Sequence, residues 1–344
     1  MKVLVTGSGG LIGSEAAEYF LNKTATRVMG MDNNMRMVFF GPNGDVSSTI
    51  LRLSGYKNYE HKNIDITNKD SVDDAIKNFQ PDLIIHCAAQ PSHDKAADIP
   101  HLDFAVNANG TLNLLESFRK HCDESSVFIQ VSTNKVYGDG PNHLNLTESK
   151  NRYDFADEKY KNGIAEDFSI DNCLHSLFGA SKVAGDILAQ EYGRYFGLNV
   201  GVFRGGCLTG PQHAGVELHG FLSYIIKCAK FGNPYTIFGY KGKQVRDQIH
   251  CYDVVRAFEE FALNPKKGEV YNLGGGVHNS ASVLEIISLI QEISGYELNY
   301  SHSNKARIGD HICYYTDMSK FKSHYPSWSM KYNLNAIIEE MLNG

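Results

Sequence analysis

The chain contains no apolar run approaching the ~18–20 residues that a membrane-spanning helix requires. It also has no excess of positive charge: among 344 residues, 33 basic side chains face 39 acidic ones, a net of −6. The first deficit excludes a helical membrane span, and the second leaves no electrostatic footprint for nucleic acid. The seven cysteines (Cys87, Cys122, Cys173, Cys207, Cys228, Cys251, Cys313) include no C-x-x-C pair. An odd, scattered set points to reduced thiols in the cytoplasm, with neither a disulfide framework nor a zinc site. The 14 histidines show no H-E-x-x-H and no i, i+4 pair beside a carboxylate, so no metal is expected. Repeats and low-complexity tracts are missing as well. The start, Met1-Lys2-Val3-Leu4-Val5, runs straight into a glycine cluster and leaves no room for a signal peptide, which again predicts a cytoplasmic protein.

What is present is ample apolar material, 42% of the chain, enough for a packed interior. The first 203 residues alternate strand-like and helical runs: strands at Lys2–Val5, Arg27–Met31, Tyr59–Asp65, Leu83–Ala88, Val127–Val131 and Asn199–Phe203, with helices near Ala16–Leu21, Asn107–Arg119 and Ala180–Phe196. Strands separated by helices form βαβ units and a parallel sheet. The reading is an α/β protein: a Rossmann-type, doubly wound parallel sheet over residues 1–203, and a smaller C-terminal α/β lobe over 204–344, some segments of which return to the main domain. The polar stretch 140–175 reads as a structureless loop covering a substrate.

Thr6-Gly7-Ser8-Gly9-Gly10-Leu11-Ile12-Gly13 lies between the first strand and the first helix. Its G-x-x-G-x-x-G spacing serves a tight turn at Gly7, close approach of a pyrophosphate at Gly10, and helix–strand packing at Gly13, with the phosphates at the positive end of the helix dipole. Asp32 follows Gly13 by 19 residues, at the end of the second strand. A carboxylate there accepts from adenosine ribose hydroxyls and repels a 2′-phosphate, which favours NAD over NADP. Asn33 and Asn34 adjoin it, and nearby Arg36 keeps NADP open.

These and later motifs resemble the extended short-chain dehydrogenase/reductase family, the sugar-nucleotide epimerases and dehydratases. The glycine motif, Asp65-Ile66, His86-Cys87-Ala88-Ala89-Gln90, Asn107-Ala108-Asn109-Gly110-Thr111, Ser132-Thr133-Asn134-Lys135-Val136-Tyr137-Gly138, Ser181-Lys182, Phe203-Arg204, Gly210-Pro211, Arg246-Asp247-Gln248-Ile249-His250 with Asp253, and Arg307-x-x-Asp310 occur in the family's order. Within it, the 133–139 and 242–247 stretches are most similar to the branch that epimerises CDP-linked deoxy sugars at C2. The resemblance implies an NAD-dependent isomerase of a nucleotide-diphosphate sugar, commonly a homodimer paired through two long helices. It places Asp65 and Ile66 against the adenine, Ala88, Ala89 and Gln90 along the phosphates and ribose, Asn107 behind the cofactor, Ser132 against the cofactor, and Lys182 beside the nicotinamide ribose. Thr133 would orient the reacting sugar oxygen. Arg246 and Arg307 would clamp the substrate diphosphate, Asp310 would hold the nucleotide ribose, and Ser92, His93, Asn134, Phe178 and Cys207 would line the substrate.

Two positions depart from the family pattern. Dehydratases carry an Asp-Glu pair after this Ser-Thr, whereas Asn134-Lys135 here supply no such carboxylates, so elimination of water is disfavoured. The family's Y-x-x-x-K places a phenol four residues before the lysine, and here that residue is Phe178. A phenyl ring has no proton to exchange. His93 could supply the acid/base, its imidazole titrating near neutrality; Tyr137, Cys207 and His213 are alternatives. The sequence therefore predicts an NAD-dependent sugar-nucleotide epimerase. An NAD-dependent oxidoreductase of a nucleotide sugar, or a silent protein that binds NAD and a nucleotide sugar, remains open beside it.

Overall fold

The computed structural model describes residues 1–212, 220–305 and 309–343. Two compact units emerge. The first comprises Met1–Thr133, Leu177–Arg204 and Val254–Tyr271, and the second comprises Asn134–Ser176, Gly205–Asp253 and Asn272–Gly344.

The first unit is built on β1 (Lys2–Thr6), β2 (Arg27–Met31), β3 (Tyr59–Lys62), β4 (Leu83–His86) and β5 (Val127–Thr133). Their apolar runs carry almost no exposed side chains in β1 and β4, as central strands covered on both faces require. Strand pairs β1–β2, β1–β4, β2–β3 and β4–β5 are all parallel. With Asn199–Gly205 and Glu269–Leu273 continuing past β5, the seven strands run in the order β3-β2-β1-β4-β5 and outward. This is the Rossmann order, whose carboxyl strand ends carry ligand sites at the reversal between β1 and β4.

Helices pack by their periodic apolar faces. In Lys69–Phe79 the buried residues Val72, Ile76 and Phe79 recur at helical spacing, and Asn68 caps the start by accepting from the Ser71 amide. Ser176–Tyr195 buries a more polar stripe, in which Phe178, Ser181, Lys182 and Asp186 share one face. A π-turn, Ala105–Asn109, precedes the helix Gly110–His121 and carries Asn107; such turns concentrate at functional sites.

The second unit has its own core, in which Leu222, Ile225, Ile286, Ile290, Ile337 and Ile338 pack together. Its central strand, Val245–His250, pairs in parallel with Cys207–Thr209 and Cys313–Tyr314 and antiparallel with Ser280–Ser282.

Residues 140–175 depart from the expected structureless loop. They form two short helical turns and a hairpin, Leu146–Glu148 with Tyr153–Phe155. The segment is held to the second unit because its amides find backbone partners there: Tyr153 N donates to Lys243 O at 3.0 Å and Ile164 N to Tyr315 O at 2.9 Å. Phe155 packs on Tyr315.

Candidate active site

The glycine turn adopts the geometry its spacing predicts. Gly7 has φ +68°, and a side chain there would meet the Ala88 amide nitrogen at 2.8 Å; one at Gly13 would come within 2.0 Å of the Gly7 carbonyl oxygen. Gly10 caps the helix Leu11–Leu21 without any side-chain bond to its first amides, and a Cβ there meets nothing nearer than 3.4 Å. Leu11, Ile12 and Gly13 thus open a helix whose first turn is free of side-chain caps, the geometry that receives a pyrophosphate. At the end of β2, Asp32 accepts from the Gly9 and Asn34 amides, both at 2.8 Å. Asn33 accepts from Met35 N and Asn34 from Val46 N, which shapes the loop after β2. Arg36 is half-buried, 4.9 Å from the Phe40 ring. Asp65 accepts from the Thr67 amide at 2.8 Å, and Ile66 is buried in the core of this unit. This cradle fits NAD: a turn open only where glycine leaves room, uncapped amides, and a carboxylate at the end of β2.

Behind the cradle lies a buried polar network. Gln90 donates to Asp103 at 2.7 Å and to Ser92 O at 2.9 Å, and it receives the Ser92 amide at 2.7 Å. Asn107 receives the Gln90 amide and donates to Asp103 and Ser181. Ser181 donates to Asp103 at 2.6 Å. The Gln90 side chain is therefore turned inward, where it braces the loop that begins at Ala88 and Ala89. Ser92, expected at the substrate, is instead a buried cap: its hydroxyl accepts from the Lys95 amide and starts the helix His93–Asp98. Asp103 gave no sequence signal, since only the fold brings it to residues 90 and 181; burial raises its pKa.

Lys182 is buried, and its Nζ donates to Val131 O at 2.9 Å. Loss of hydration lowers it to about 8, against the opposing pull of Asp186. Asp186 lies one turn further along the helix, accepts from Ser132 at 2.6 Å and pairs with Arg204 at 2.9 Å. The Ser132 hydroxyl thus donates its proton to Asp186. Thr133 stands half-buried at the end of β5. Phe178 is buried on the same face as Lys182, and the His93 ring rests against it with centroids 4.9 Å apart.

In the second unit, Lys135 and Arg246 converge on one oxygen of Asp310, at 3.7 and 3.1 Å. Lys135 also donates to Gly309 O at 2.9 Å, and burial lowers it to about 8. Two cations sharing one carboxylate leave a positive cluster suited to an anion. Asn134 is buried beside this lysine in the chain, and Cys207 is half-buried, its thiol pushed up to about 11 by burial. Tyr137 is corrected as an acid/base: it is fully buried and donates its proton to Asn272 Oδ1 at 2.7 Å. Arg307 and His213 lie outside the described residues. No cluster of metal-ligating side chains occurs among the described residues, nor is any helix there long and apolar enough to cross a membrane.

Fold and cradle together define a Rossmann-type NAD-binding protein. Residues 3–274 match the NAD dependent epimerase/dehydratase family, and the chain belongs to that family of enzymes, with NAD as its cofactor. CDP-paratose 2-epimerase of Salmonella typhi is 31% identical over 99% of this chain and 98% of that protein. A dTDP-glucose 4,6-dehydratase of Salmonella typhimurium is 28% identical over 85% of this chain and 76% of that protein. Among solved structures, a Tyr-to-Phe mutant of UDP-glucuronic acid 4-epimerase from Bacillus cereus, in complex with UDP-4-deoxy-4-fluoro-glucuronic acid and NAD, superposes with a TM-score of 0.80 at 26% identity, covering 100% of this chain and 98% of that one. UDP-glucose 4-epimerase of Thermus thermophilus with NAD gives 0.77 at 25% identity over the same shares.

Proposed function

We propose that the protein epimerises a nucleotide-diphosphate sugar by transient oxidation to a keto sugar and return of hydride to the opposite face. The observation that carries this reading over a dehydratase is the Thr133-Asn134-Lys135 sequence at the end of β5, with Lys135 committed to Gly309 O and Asp310. Elimination of water needs a carboxylate pair there, and none is supplied. NAD, when bound, would supply the acceptor and donor of the hydride. The first unit's own residues bind and orient it: Gly7 to Gly13 and Asp32 hold the dinucleotide, Asp65 and Ile66 meet the adenine, and Lys182 places a cation beside the nicotinamide ribose. Thr133 orients the reacting sugar oxygen. In the second unit Arg246 and Lys135 hold the nucleotide diphosphate, a role shared with Arg307, and Asp310 holds the nucleotide ribose. The likeness to CDP-paratose 2-epimerase supports a CDP-linked deoxy sugar and reaction at C2.

Phe178 favours a second reading, a protein that binds NAD and a nucleotide sugar without turnover. One experiment separates them. Protein freshly purified and denatured should release stoichiometric NAD by mass spectrometry, and the native protein should interconvert C2 epimers of a CDP-linked 6-deoxy sugar, followed by NMR. Bound NAD without interconversion of the sugar would favour the silent binder. We further propose a cytoplasmic homodimer paired through Gly110–His121 and Ser176–Tyr195, where Leu112 and Ile187 leave apolar surface exposed. Light scattering reads its mass.

A further inference from the structure

The carboxylate of Asp310 draws both cations of the second unit's positive cluster, Arg246 at 3.1 Å and Lys135 at 3.7 Å. The two cations are largely buried, their side chains 12% and 14% exposed, whereas the Asp310 side chain is 35% exposed. Holding so open a carboxylate in one place costs side-chain entropy, and water screens the pairing it offers. Here the backbone that carries it is fixed.

Residues 309–312 are tied to residues 135–142 at every position. Lys135 Nζ donates to Gly309 O at 2.9 Å. Asn142 Nδ2 donates to Asp310 O at 2.8 Å, and Asn142 Oδ1 accepts from Ile312 N at 2.7 Å. Between these, His311 Nε2 donates to Gly138 O at 2.7 Å, its buried ring stacked on Tyr314 with centroids 5.0 Å apart. One carboxamide thus holds the backbone on both sides of His311, with its donor and its acceptor both in use. Asn142 is itself set by the helical turn Gly140–His143, in which its amide donates to Asp139 O at 2.8 Å. A segment ordered in advance spares an arriving ligand the entropy of ordering it.

We propose that Asn142 is a positioning residue of the nucleotide site: by holding the backbone at Asp310 and Ile312, it sets the carboxylate that spaces Arg246 and Lys135 for a diphosphate. The proposal rests on the nucleotide-sugar reading above. The effect of Asn142 runs through Asp310, with no bond to the ligand assigned to Asn142 itself. Without the clamp the carboxylate shifts, Lys135 loses part of the pull that keeps its charge, and the two cations meet the diphosphate out of register. Lys135 is sensitive to that loss, since burial already lowers it to about 8 against the pull of Asp310. Of the other groups near it, burial pushes the Cys207 thiol up to about 11 and holds the His311 imidazole well below its usual range. Both therefore stay uncharged between pH 7 and about 9.

The test is CDP binding by calorimetry to the parent, N142A and N142Q from about pH 7 to 9, with NAD content read by mass spectrometry. N142Q keeps the carboxamide and adds one methylene, and it takes the place of N142A if that variant does not fold. Either variant should bind CDP about tenfold more weakly at pH 7, with parental stoichiometry and parental NAD content. Affinity in the parent should begin to fall near pH 8 as Lys135 loses its proton. In the variants that fall should begin about half a pH unit lower or more. CDP affinity within about twofold of the parent overturns the proposal. So does a weaker affinity whose pH dependence matches the parent's, because Asn142 then acts on packing and not through Asp310 and Lys135. Both of those outcomes leave the nucleotide-sugar reading standing, since the parent binds. A parent that holds NAD but binds neither CDP nor UDP overturns that reading, and the proposal with it.

Discussion

The Nζ of Lys182 donates to the carbonyl of Val131 at 2.9 Å, tying the helix Ser176–Tyr195 to the strand that ends in Thr133. The bond orients a cation at the strand end while the surrounding protein removes its water. The bond sets its position, and burial lowers its pKa.

The pH dependence of stability should register that burial. Lys182 titrates near 8 in the folded chain, against ~10.4 unfolded. Below pH 8 both states hold the proton and the full penalty of a buried charge is present. Between pH 8 and 10.4 the unfolded chain binds the extra proton, so this lysine's contribution to stability rises with pH, by at most about 1.4 kcal/mol per unit. The stability of the parent relative to K182M, from urea unfolding at pH 7, 8, 9 and 10, should therefore climb above pH 8. A flat difference would contradict the assignment. Buried thiols such as Cys122, held up to about 12, act in the opposite sense, but they do so in both proteins.

Asp186 is 1% exposed and pairs with the almost equally buried Arg204 while accepting from Ser132 and Gln190. Replacing it with alanine removes the carboxylate that the buried guanidinium reaches twice. Loss of one partner of a buried pair costs about 3–5 kcal/mol, so D186A should lower the unfolding free energy from urea titration by that amount. A change under ~1 kcal/mol would show that water reaches Arg204.

Gly13→Ala places a methyl group within 2.0 Å of the Gly7 carbonyl, and the atoms it meets, all backbone of Gly7 and Ser8, leave nothing flexible to yield. The protein should fold with a distorted turn and purify with less than about a tenth of the parental NAD, a loss of roughly 1.4 kcal/mol or more in binding. Mass spectrometry of the denatured protein reads this directly. Full NAD content would mean the cradle is elsewhere.

Arg246→Lys keeps the charge but not the fork that donates to Val245 O at 2.7 Å and Asp310 at 3.1 Å. A point charge reproduces a planar bidentate donor poorly. CDP affinity by calorimetry should fall by about tenfold, roughly 1.4 kcal/mol, with NAD content unchanged. Equal affinity would remove Arg246 from the diphosphate site.

Much of the first unit was legible along the chain because its signals are local. Strand Arg27–Met31 has the bounds its pattern predicts. The third and fourth strands end earlier than their apolar runs, at Lys62 and His86, where the chain leaves the sheet toward the cofactor loops. The stretch 140–175 looked structureless because its order comes from amide partners far along the chain, such as Lys243 and Tyr315. No periodicity announces that.

The sequence by itself determined the NAD cradle, since glycine spacing and one carboxylate at a strand end are enforced by backbone geometry over a short stretch of chain. It also set the chemical problem, by placing phenylalanine one turn before Lys182. Only the tertiary structure decided which side chains are spoken for. Tyr137 gives its proton to Asn272, Ser92 caps a helix, and Ser132 serves Asp186, while His93 comes to rest on Phe178. What chemistry a side chain can do depends on the partners that folding brings to it from far along the chain, and those partners are set by packing in three dimensions.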